Sequence, residues 1–349
     1  MEKTTNNTEF YDGTKLLSLR DLNNETPEIY MCTTNRSAGK TTWFNRYLTK
    51  KFLETGDKFM LFYRYKYEIS DCADKFFKDI RGLFFPSHYM ESKPRNGVYH
   101  ELFLSGAPCG YAVGLNSADQ LKKYSHLFSD TKRILFDEFQ SENNSYVSEE
   151  IKKFISIHTS IARGNGEQSR YVPVYMLSNN VSLLNPYFAE LGVSARLQPN
   201  TNFLRGNGWV LEQGFNEGAS KAQLSSKFMQ AFSNNEYIGY LTSKEYLYND
   251  TAFIEKMSGV SRYLCTFRHQ GKEYSIREFP NENVLYCDNS IDNTYKLRIA
   301  VDVEDMIPSY ILRSPSDLFI QSFRRYFATG SFRFKNMECK AALICLLQY

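Results

Sequence analysis

The chain has 349 residues, of which 42% are hydrophobic and 23% charged, and its formal net charge is +3. The length predicts two compact units with sizeable cores, and the small charge surplus neither requires nor excludes a polyanionic partner. The seven cysteines are scattered with no C-x-x-C pair, a pattern that suits neither zinc nor a disulfide framework. No signal-like segment and no run near the roughly 18 apolar residues of a membrane span occurs, so we expect an intracellular, non-secreted chain without a membrane partner.

After a polar lead-in over residues 1–27, the sequence up to about residue 180 alternates strand patterns with helix patterns. The predicted strands are 28–33, 58–65, 133–139 and 171–178, the helices are 40–55 and 149–163, and an edge hairpin covers 98–105 and 111–115. Pro173 indicates that the last of these strands begins late or lies near an edge. The alternation predicts an α/β fold with a mainly parallel central sheet.

The second half of the chain has a different composition and a different hydrophobic pattern. Residues 206–250 are rich in Gly, Asn, Ser and Gln, which is typical of a linker or small connecting subdomain. Strand patterns over 263–269, 272–279 and 283–287 then predict a meander, with Gln270-Gly271 as a tight turn. Ser314-Pro315 predicts the start of a helix, and Asn336 is the predicted cap of a final helix over 337–347. We therefore divide the chain into 1–214, 215–250 and 251–349.

A phosphate-binding loop is indicated by Thr34-Asn35-Arg36-Ser37-Ala38-Gly39-Lys40-Thr41, which Thr42 follows. The sequence fits G-x-x-x-x-G-K-[ST] except at Thr34, where the pattern has its first glycine. A strand precedes the loop and a helix follows it, so backbone N–H groups can surround a β-phosphate while Lys40 reaches the β/γ oxygens and Thr41 binds Mg²⁺. A chance G-K-T at a helix start is the alternative. The flanking elements favour ATP and Mg²⁺ as ligands.

Two adjacent carboxylates, Asp137 and Glu138, end the predicted strand over 133–139. In a P-loop protein such an Asp holds the Mg²⁺ shell and such a Glu polarises the attacking water. A solvated Asp-Glu pair at the end of an ordinary strand is the alternative. The two motifs together predict ATP hydrolysis by Glu138.

Two further polar residues lie where they can serve this site. Asn179, at the tip of the strand over 171–178, can sense the γ-phosphate, although a role in forming the turn explains it equally well. Arg163 ends the helix over 149–163 and can act as an arginine finger in a neighbouring subunit. Periodicity alone favours the alternative that Arg163 complements the helix dipole.

Basic residues interleave with aromatic residues in three places. Arg64 and Lys66 alternate with tyrosines, Lys122 and Lys123 adjoin Tyr124, and residues 323–335 mix Arg and Lys with Phe and Tyr. Such patches suit nucleic-acid backbones and bases, and they equally describe a solvated surface.

The motifs taken together resemble those of a known family. Arg36 inside the P-loop, FYRYK (62–66), ILFDEF (134–139), IARGN (161–165) and LSNNVSLLNPYF (177–188) are similar to the DNA-packaging motor ATPases of small short-tailed bacteriophages. These are terminase-like ASCE ATPases of the FtsK/HerA type. The resemblance covers residues 28–190 well and continues more weakly into the C-terminal region.

The resemblance implies an ASCE ATPase domain, a small linker and a C-terminal RNase H-like α+β domain. It also implies a homopentameric ring that moves double-stranded DNA into a prohead, together with a portal (connector) protein and a packaging RNA. Such a protein acts in the host cytoplasm and transiently on the prohead. By position, Arg163 matches the arginine finger that acts in trans in this family. Lys66 matches a lysine that contacts DNA, and Lys123 (or Lys122) matches a lysine that acts in trans near the nucleotide. Arg64, next to Lys66, is the second candidate DNA contact.

The C-terminal region departs from an active nuclease. An RNase H-like nuclease needs about three clustered carboxylates that hold two metal ions. The predicted opening strand, 263–267, contains no acid, while Asp288 and the cluster Asp302, Glu304 and Asp305 lie elsewhere. We expect a vestigial domain that binds nucleic acid or portal. An ATP-driven packaging motor is the function that the sequence predicts, and a helicase or a nucleic-acid-binding protein with a relic P-loop are the alternatives.

Overall fold

The computed structural model describes residues 10–143, 145–163, 167–183, 185–194, 196–197, 201–243, 246–247, 252–314 and 316–347. The chain divides into two compact units, Met1–Tyr187 with Gln198–Tyr248, and Phe188–Leu197 with Asn249–Tyr349. Residues of the proposed linker up to 248 group with the first unit, and the three-part division remains a prediction. No helix in the described ranges is long and apolar enough to span a bilayer.

The first unit is built on nine strands. They are β1 (Ile29–Thr34), β2 (Lys58–Tyr63), β3 (Met90–Arg95), β4 (Tyr99–Leu104), β5 (Ala107–Gly114), β6 (Thr131–Asp137), β7 (Val174–Asn179), β8 (Phe203–Arg205) and β9 (Trp209–Gln213). The helices are α1 (Thr14–Ser18), α2 (Lys40–Thr55), α3 (Cys72–Phe84), α4 (Ala118–Leu121), α5 (Glu150–Ala162), α6 (Pro186–Glu190), α7 (Glu217–Leu224), α8 (Lys227–Ala231) and α9 (Glu236–Thr242), of which α6 spans the boundary between the units. Short 3₁₀ segments cover Lys66–Ile69, Leu115–Ser117 and Lys122–Phe128.

The strands form one sheet in the order β3-β4-β5-β2-β6-β7-β1-β9-β8. Its middle, from β5 to β9, is parallel throughout, and antiparallel strands flank it on both sides. The strand β7 lies between β1 and β6, so the loop after β1 and the polar ends of β6 and β7 meet at one edge. This order confirms the expected α/β fold of the ASCE type.

Helix α2 covers one face of the sheet, as its apolar spacing predicts. Phe44 and Leu48 are fully buried in a core cluster with Tyr30 and Tyr175 of the central strands. The helix stops at Gly56, whose φ of 73° is left-handed and whose N–H bonds to the carbonyl of Phe52. The helix therefore ends at residue 55, as the sequence predicts.

One prediction in this unit is wrong, and another is confirmed in one of its two forms. Residues 106–110, between the two predicted strands of the edge hairpin, were expected to form its turn. The tight turn is Ser105-Gly106 instead, and residues 107–110 belong to strand β5. An additional edge strand, β3, pairs with β4. Of the two explanations that Pro173 suggested, the late start is confirmed and the edge position is not. The strand β7 begins only at Val174 and is central in the sheet, so the N–H that proline lacks falls just outside the strand.

The second unit contains a six-stranded sheet and two helices. Its strands are β10 (Arg262–His269), β11 (Lys272–Phe279), β12 (Val284–Asp288), β13 (Arg298–Ala300), β14 (Ile311–Leu312) and β15 (Phe332–Phe334), and its helices are α10 (Leu318–Ala328) and α11 (Met337–Leu347). The order β14-β13-β10-β11-β12-β15 places an antiparallel meander beside parallel strands. This mixed arrangement agrees with the expected RNase H-like α+β domain.

Of the two helix caps predicted in this unit, Asn336 is confirmed and Ser314 is wrong. The backbone N–H of Cys339 donates to Asn336 Oδ1 at 2.9 Å, which confirms the predicted cap of α11. Helix α10 begins later than expected, because the carboxylate of Asp317 accepts the N–H of Phe319 at 2.9 Å and is its cap in place of Ser314. Pro315 lies outside the described residues.

Candidate active site

The predicted phosphate-binding loop connects β1 to α2 at the carboxyl edge of the parallel sheet. Its left-handed residues are Ser37, with a φ of 62°, and Gly39, with a φ of 94°. Thr34 has no positive φ, and its hydroxyl donates to the carbonyl of Asn35 at 2.9 Å. The first glycine of the usual pattern is therefore not needed for the backbone path here.

Lys40 points toward the ends of the neighbouring strands. It is 7% exposed, and its Nζ donates to Oδ1 of Asn179 at the end of β7 at 2.8 Å. Burial lowers the pKa of Lys40, and the nearby carboxylates of Asp137 and Glu138 oppose that shift. Lys40 and Asn179, which are far apart in sequence, thus lie together at the carboxyl edge of the sheet.

Asp137 ends β6 beside the first turn of α2. Its Oδ1 accepts the backbone N–H of Glu138 at 3.0 Å, and its carboxylate also bonds to the side chain of Thr41. Burial raises the pKa of Asp137, while Lys40 and Thr41 lower it. A carboxylate and a hydroxyl on adjoining elements are the hard oxygen ligands that Mg²⁺ prefers, so this pair fits a magnesium ion.

Glu138 has an unusual backbone and a perturbed carboxylate. Its φ is 57°, a left-handed value that is uncommon for a residue with a long side chain. Solvent reaches the side chain, yet the surrounding protein removes part of its hydration, which raises the pKa of Glu138. The negative charges of Asp137 and Glu142 add to this effect, and Lys40 and Arg36 oppose it. A general base with a raised pKa suits proton abstraction from water near neutral pH.

Arg64, a predicted DNA contact, lies inside the protein. It is 8% exposed, its Nε donates to Glu150 Oε2 at 3.0 Å, and its two terminal nitrogens donate to the carbonyls of Glu138 at 3.2 Å and Phe139 at 2.7 Å. This environment argues against the predicted contact with DNA. The contacts give Arg64 a different role: it holds the turn that follows β6.

Sequence reasoning missed Glu142, in the polar loop after β6. Its Oε1 accepts Asn179 Nδ2 at 3.3 Å and the Tyr240 hydroxyl at 2.9 Å, and it lies 3.5 Å from Arg36 Nη1. The one sequence signal was an acidic residue just past a strand that ends at the site. Glu142 therefore links the phosphate-binding loop to β7 and α9.

The other loop residues contact the segment after β9. Asn35 exchanges two hydrogen bonds with the backbone of Asn216, and the Ser37 hydroxyl accepts from Gln223 Nε2 at 2.8 Å. Arg36 Nη1 donates to the Tyr237 hydroxyl at 3.1 Å. Ala38 is buried, and Thr42 is half-buried in the first turn of α2.

Three predicted residues are not brought to the phosphate-binding loop. Lys66, Lys123 and Arg163 are exposed, and among the described residues none of their side chains forms an ion pair. Lys66 begins the 3₁₀ segment after β2, Lys123 lies in the segment after α4, and Arg163 follows the last residue of α5. Gly164 and Asn165 of the motif that contains Arg163 lie outside the described residues.

A sheet with β7 between β1 and β6, and with Lys40, Asp137 and Asn179 together at its carboxyl edge, defines a P-loop protein of the ASCE class. The family model for the Podovirus DNA encapsidation protein (Gp16) matches residues 5–348. The chain belongs to this family, which confirms the resemblance inferred from its motifs.

Individual relatives and solved structures agree with this membership. The DNA packaging protein of Bacillus phage B103 is 27% identical over 305 residues, which cover 86% of this chain and 90% of the relative. That of Bacillus phage phi29 is 24% identical over 305 residues, covering 86% and 87%. The Phi-29 genome packaging motor assembly has a similar fold, with a TM-score of 0.72 and 21% identity over 97% of this chain and 100% of that one. The Phi-28 DNA packaging motor matches with a TM-score of 0.65 and 15% identity over 98% and 99%.

Proposed function

We propose that this protein hydrolyses ATP and uses the released free energy to move double-stranded viral DNA into a preformed prohead. Membership of the DNA encapsidation family supports the packaging role. The observation that carries the ATPase role is the contact of Lys40 with Asn179, next to Asp137 and Glu138. A relic loop under no constraint would have no need to keep these four groups together.

ATP binding would begin at the backbone N–H groups of residues 34–42 and the N-terminus of α2. Lys40 would exchange its bond to Asn179 for the β/γ-phosphate oxygens, which frees the Asn179 amide to contact the γ-phosphate. Thr41 and Asp137 would hold Mg²⁺, which neutralises developing charge on the phosphates. Glu138 would orient the attacking water and accept its proton, and Arg64 would keep the backbone of Glu138 in position.

We further propose that the site is completed by a neighbouring copy of the chain. The side chains of Arg163 and Lys123 are exposed and form no ion pair among the described residues, so they can reach a bound nucleotide in an adjacent subunit. Lys66, equally accessible beside the tyrosines at 65 and 67, would contact DNA phosphates. The assembly would be a homopentameric ring that meets the portal and the packaging RNA of the prohead in the host cytoplasm.

The second unit would bind nucleic acid or portal without cutting DNA. The strand β10 contains no acidic residue. Asp288 bonds to Ser275 and to Arg277, and Asp305 accepts the backbone N–H groups of Gln270 and Gly271. Carboxylates engaged in this way are poorly placed to hold two metal ions together.

The ATPase rate of the purified chain, measured with and without duplex DNA and proheads, tests the proposal. We expect DNA and proheads to stimulate the rate, and Lys40→Ala and Glu138→Gln each to abolish it. Lys50→Ala, which removes an exposed charge from the same helix, is the matched control and should retain the rate. An ATPase that ignores DNA and proheads, or that survives Lys40→Ala, would contradict the proposal.

Salt-dependent binding separates a packaging motor from a helicase. Duplex DNA should bind more tightly than single strands, and its affinity should fall steeply with salt because phosphate contacts release counterions. A preference for single strands would favour the helicase.

A further inference from the structure

A histidine and two aspartates converge at one edge of the six-stranded sheet of the second unit. His269 is the last residue of β10, and Asp302 and Asp305 follow β13, which pairs with β10 in parallel. Parallel strands end at the same edge, so the three side chains meet there, and one ligand atom from each lies within 4.8 Å of the other two. The functions proposed above assign no role to this group.

The imidazole of His269 has a polar atom that lacks a partner. The side chain is 15% exposed, and its Nδ1 atom is buried and forms no hydrogen bond among the described residues. Nδ1 lies 3.9 Å from Oδ2 of Asp302 and 3.9 Å from Oδ2 of Asp305. A direct hydrogen bond would bring these atoms to about 2.7–3.2 Å. His269 therefore does not bridge the two carboxylates by itself, although buried polar atoms are normally paired.

Asp305 is held in the orientation that a metal ligand needs. It is buried, its Oδ1 accepts the backbone N–H of Gly271 at 2.9 Å, and its Oδ2 accepts that of Gln270 at 3.1 Å. Each carboxylate oxygen has a second lone pair, which these bonds leave free. Hydrogen bonds of this kind orient the carboxylates that bind metal ions.

Asp302 is the adjustable member of the group. Its side chain is 58% exposed, and among the described residues its carboxylate pairs with no group other than His269. A small rotation of this side chain can therefore bring an oxygen closer to the other two ligand atoms. Its exposure also leaves one side of the group open to water.

The nearby positive charge of Arg313 is used elsewhere. Burial lowers the pKa of His269, the two aspartates oppose that shift, and Arg313 adds to it. Nη1 of Arg313 donates to two carbonyls in the last turn of α11, at 2.8 and 3.1 Å. Among the described residues, Arg313 forms no ion pair with Asp302 or Asp305. The two carboxylates thus retain their attraction for a further cation.

We propose that His269, Asp302 and Asp305 bind one divalent transition-metal cation of the Mn²⁺ or Zn²⁺ class. An imidazole nitrogen with carboxylate oxygens suits these ions better than Mg²⁺ or Ca²⁺, which prefer oxygen ligands alone. Ligands at about 2.1 Å from one ion lie about 3.0–4.2 Å apart, so the two 3.9 Å separations already fit. The ion ties the turn between β10 and β11 to the segment after β13, and water completes its coordination on the open side.

This site differs from the metal centre of an RNase H-like nuclease and is independent of the proposed ATPase. A nuclease of that kind needs about three clustered carboxylates and two ions. One ion on a histidine and two aspartates stabilises the second unit and leaves it without nuclease activity.

Electron paramagnetic resonance of Mn²⁺, titrated into the full chain without nucleotide, tests the site because bound and free Mn²⁺ give different signals. We expect one bound ion per chain, which Zn²⁺ displaces and Mg²⁺ at the same concentration does not. His269→Ala and Asp302→Asn should each weaken binding about tenfold or more, since each removes one of three ligands. Glu304→Gln removes an exposed charge from the same segment but outside the group, so it is the matched control and should bind normally.

Thermal unfolding provides a second readout. Zn²⁺ should raise the unfolding temperature of the unchanged chain and of Glu304→Gln, because a ligand that binds only the folded state stabilises it. It should not raise that of Asp302→Asn, whose exposed position makes the substitution compatible with folding even if His269→Ala does not fold.

The outcomes separate this site from the proposed function. If the unchanged chain binds no Mn²⁺, or if Asp302→Asn binds it as tightly, the site is wrong. If Glu304→Gln loses as much affinity as Asp302→Asn, the effect is one of general charge and the assignment of ligands fails. If Asp137→Asn loses the ion while Asp302→Asn keeps it, the ion belongs to the phosphate-binding loop, and the proposed ATPase stands without this site. Equal competition by Mg²⁺ would refute the class of cation.

Discussion

At the residue scale, the backbone of Glu138 depends on a single buried arginine. A left-handed glutamate persists only where its surroundings hold it, and Arg64 binds the carbonyls of Glu138 and Phe139 while pairing with Glu150. The Tyr187 hydroxyl and the Val147 N–H also donate to Glu150. The Glu150 carboxylate thus accepts hydrogen bonds from Arg64, Tyr187 and Val147. These contacts fix Arg64, and Arg64 in turn fixes the turn that carries Glu138.

Arg64→Ala should lower the free energy of unfolding of the first unit by about 3 kcal/mol, because it leaves Glu150 buried without its counter-charge. The ATPase rate should fall as well, since the turn that carries Glu138 loses two hydrogen bonds. Urea denaturation and steady-state kinetics measure the two effects. Arg95→Ala, which breaks the more exposed pair with Glu101, should change stability by less than about 1 kcal/mol. Equal effects of the two substitutions would refute the structural role of Arg64.

The raised pKa of Glu138 makes a second prediction, about stability and pH. A carboxyl group with a higher pKa in the folded state destabilises the fold above that pKa, and the penalty is relieved as the pH falls through it. Glu138→Gln, without nucleotide, should therefore unfold at higher denaturant concentration than the unchanged chain at pH 7. The advantage should shrink as the pH falls toward 4.5, the ordinary value for glutamate. A variant less stable than the unchanged chain at pH 7 would contradict the shift.

The raised pKa of Glu138 should also change how the ATPase rate depends on pH. Glu138 must be deprotonated to accept a proton from water, so the acidic limb of the pH–rate profile should lie above the ordinary glutamate range. Removing one of the negative charges that raise the pKa, through Glu142→Gln, should move that limb to lower pH. A limb that does not move would show that another group controls it.

At the element scale, a glycine that follows a helix and a glycine inside a helix offer a matched test of where α2 ends. Gly56 ends α2 with a φ of 73°, whereas Gly82 lies inside α3 without a positive φ and with open space where a Cβ would lie. Gly56→Ala should destabilise the first unit by about 1 kcal/mol, because alanine is strained in the left-handed region. Gly82→Ala should stabilise it by about 0.5 kcal/mol through helix propensity. Thermal denaturation distinguishes the two signs, and changes of the same sign would contradict the assignment of the helix end.

These elements also show how far local sequence determines structure. Helix α2 and the meander of β10, β11 and β12 were predicted because period and turn residues agree along each segment. The edge strand β3 was missed because its sequence, MESKPR, alternates no apolar face and is mostly exposed. Asp317 and Ser314 are both good caps, and only the three-dimensional path of the chain decided between them.

Some features of the candidate site are likewise marked by local sequence, and others depend on contacts between distant segments. The phosphate-binding loop, the carboxylates at the end of β6 and the tip of β7 are each marked by a local pattern, so the sequence alone indicates them as candidates. The contacts of Phe10, Glu142 and Asn216 with the site join segments far apart in the chain, and no local pattern encodes such contacts. Arg64 was misread because a strand-end arginine beside tyrosines looks the same in sequence whether it is exposed or buried.

At the scale of the whole molecule, the proposed ring implies that the nucleotide site of each subunit is complete only when a neighbouring subunit is present. Glu138 belongs to the nucleotide site of its own chain, while Arg163, exposed at the end of α5, forms no ion pair among the described residues of that chain. If Arg163 acts in the neighbouring subunit, the two residues are needed in one site but come from different chains.

Mixing two inactive variants tests this arrangement directly. Arg163→Ala and Glu138→Gln should each abolish prohead-stimulated ATPase activity. When they are combined before assembly, some interfaces will join an intact Glu138 on one chain to an intact Arg163 on the next, and a measurable fraction of activity should return. Arg81→Ala, an exposed arginine on α3, should stay active alone and serves as the control for loss of surface charge. If the mixture stays inactive at every ratio, Arg163 acts within its own chain or not at all, and the shared site must be abandoned.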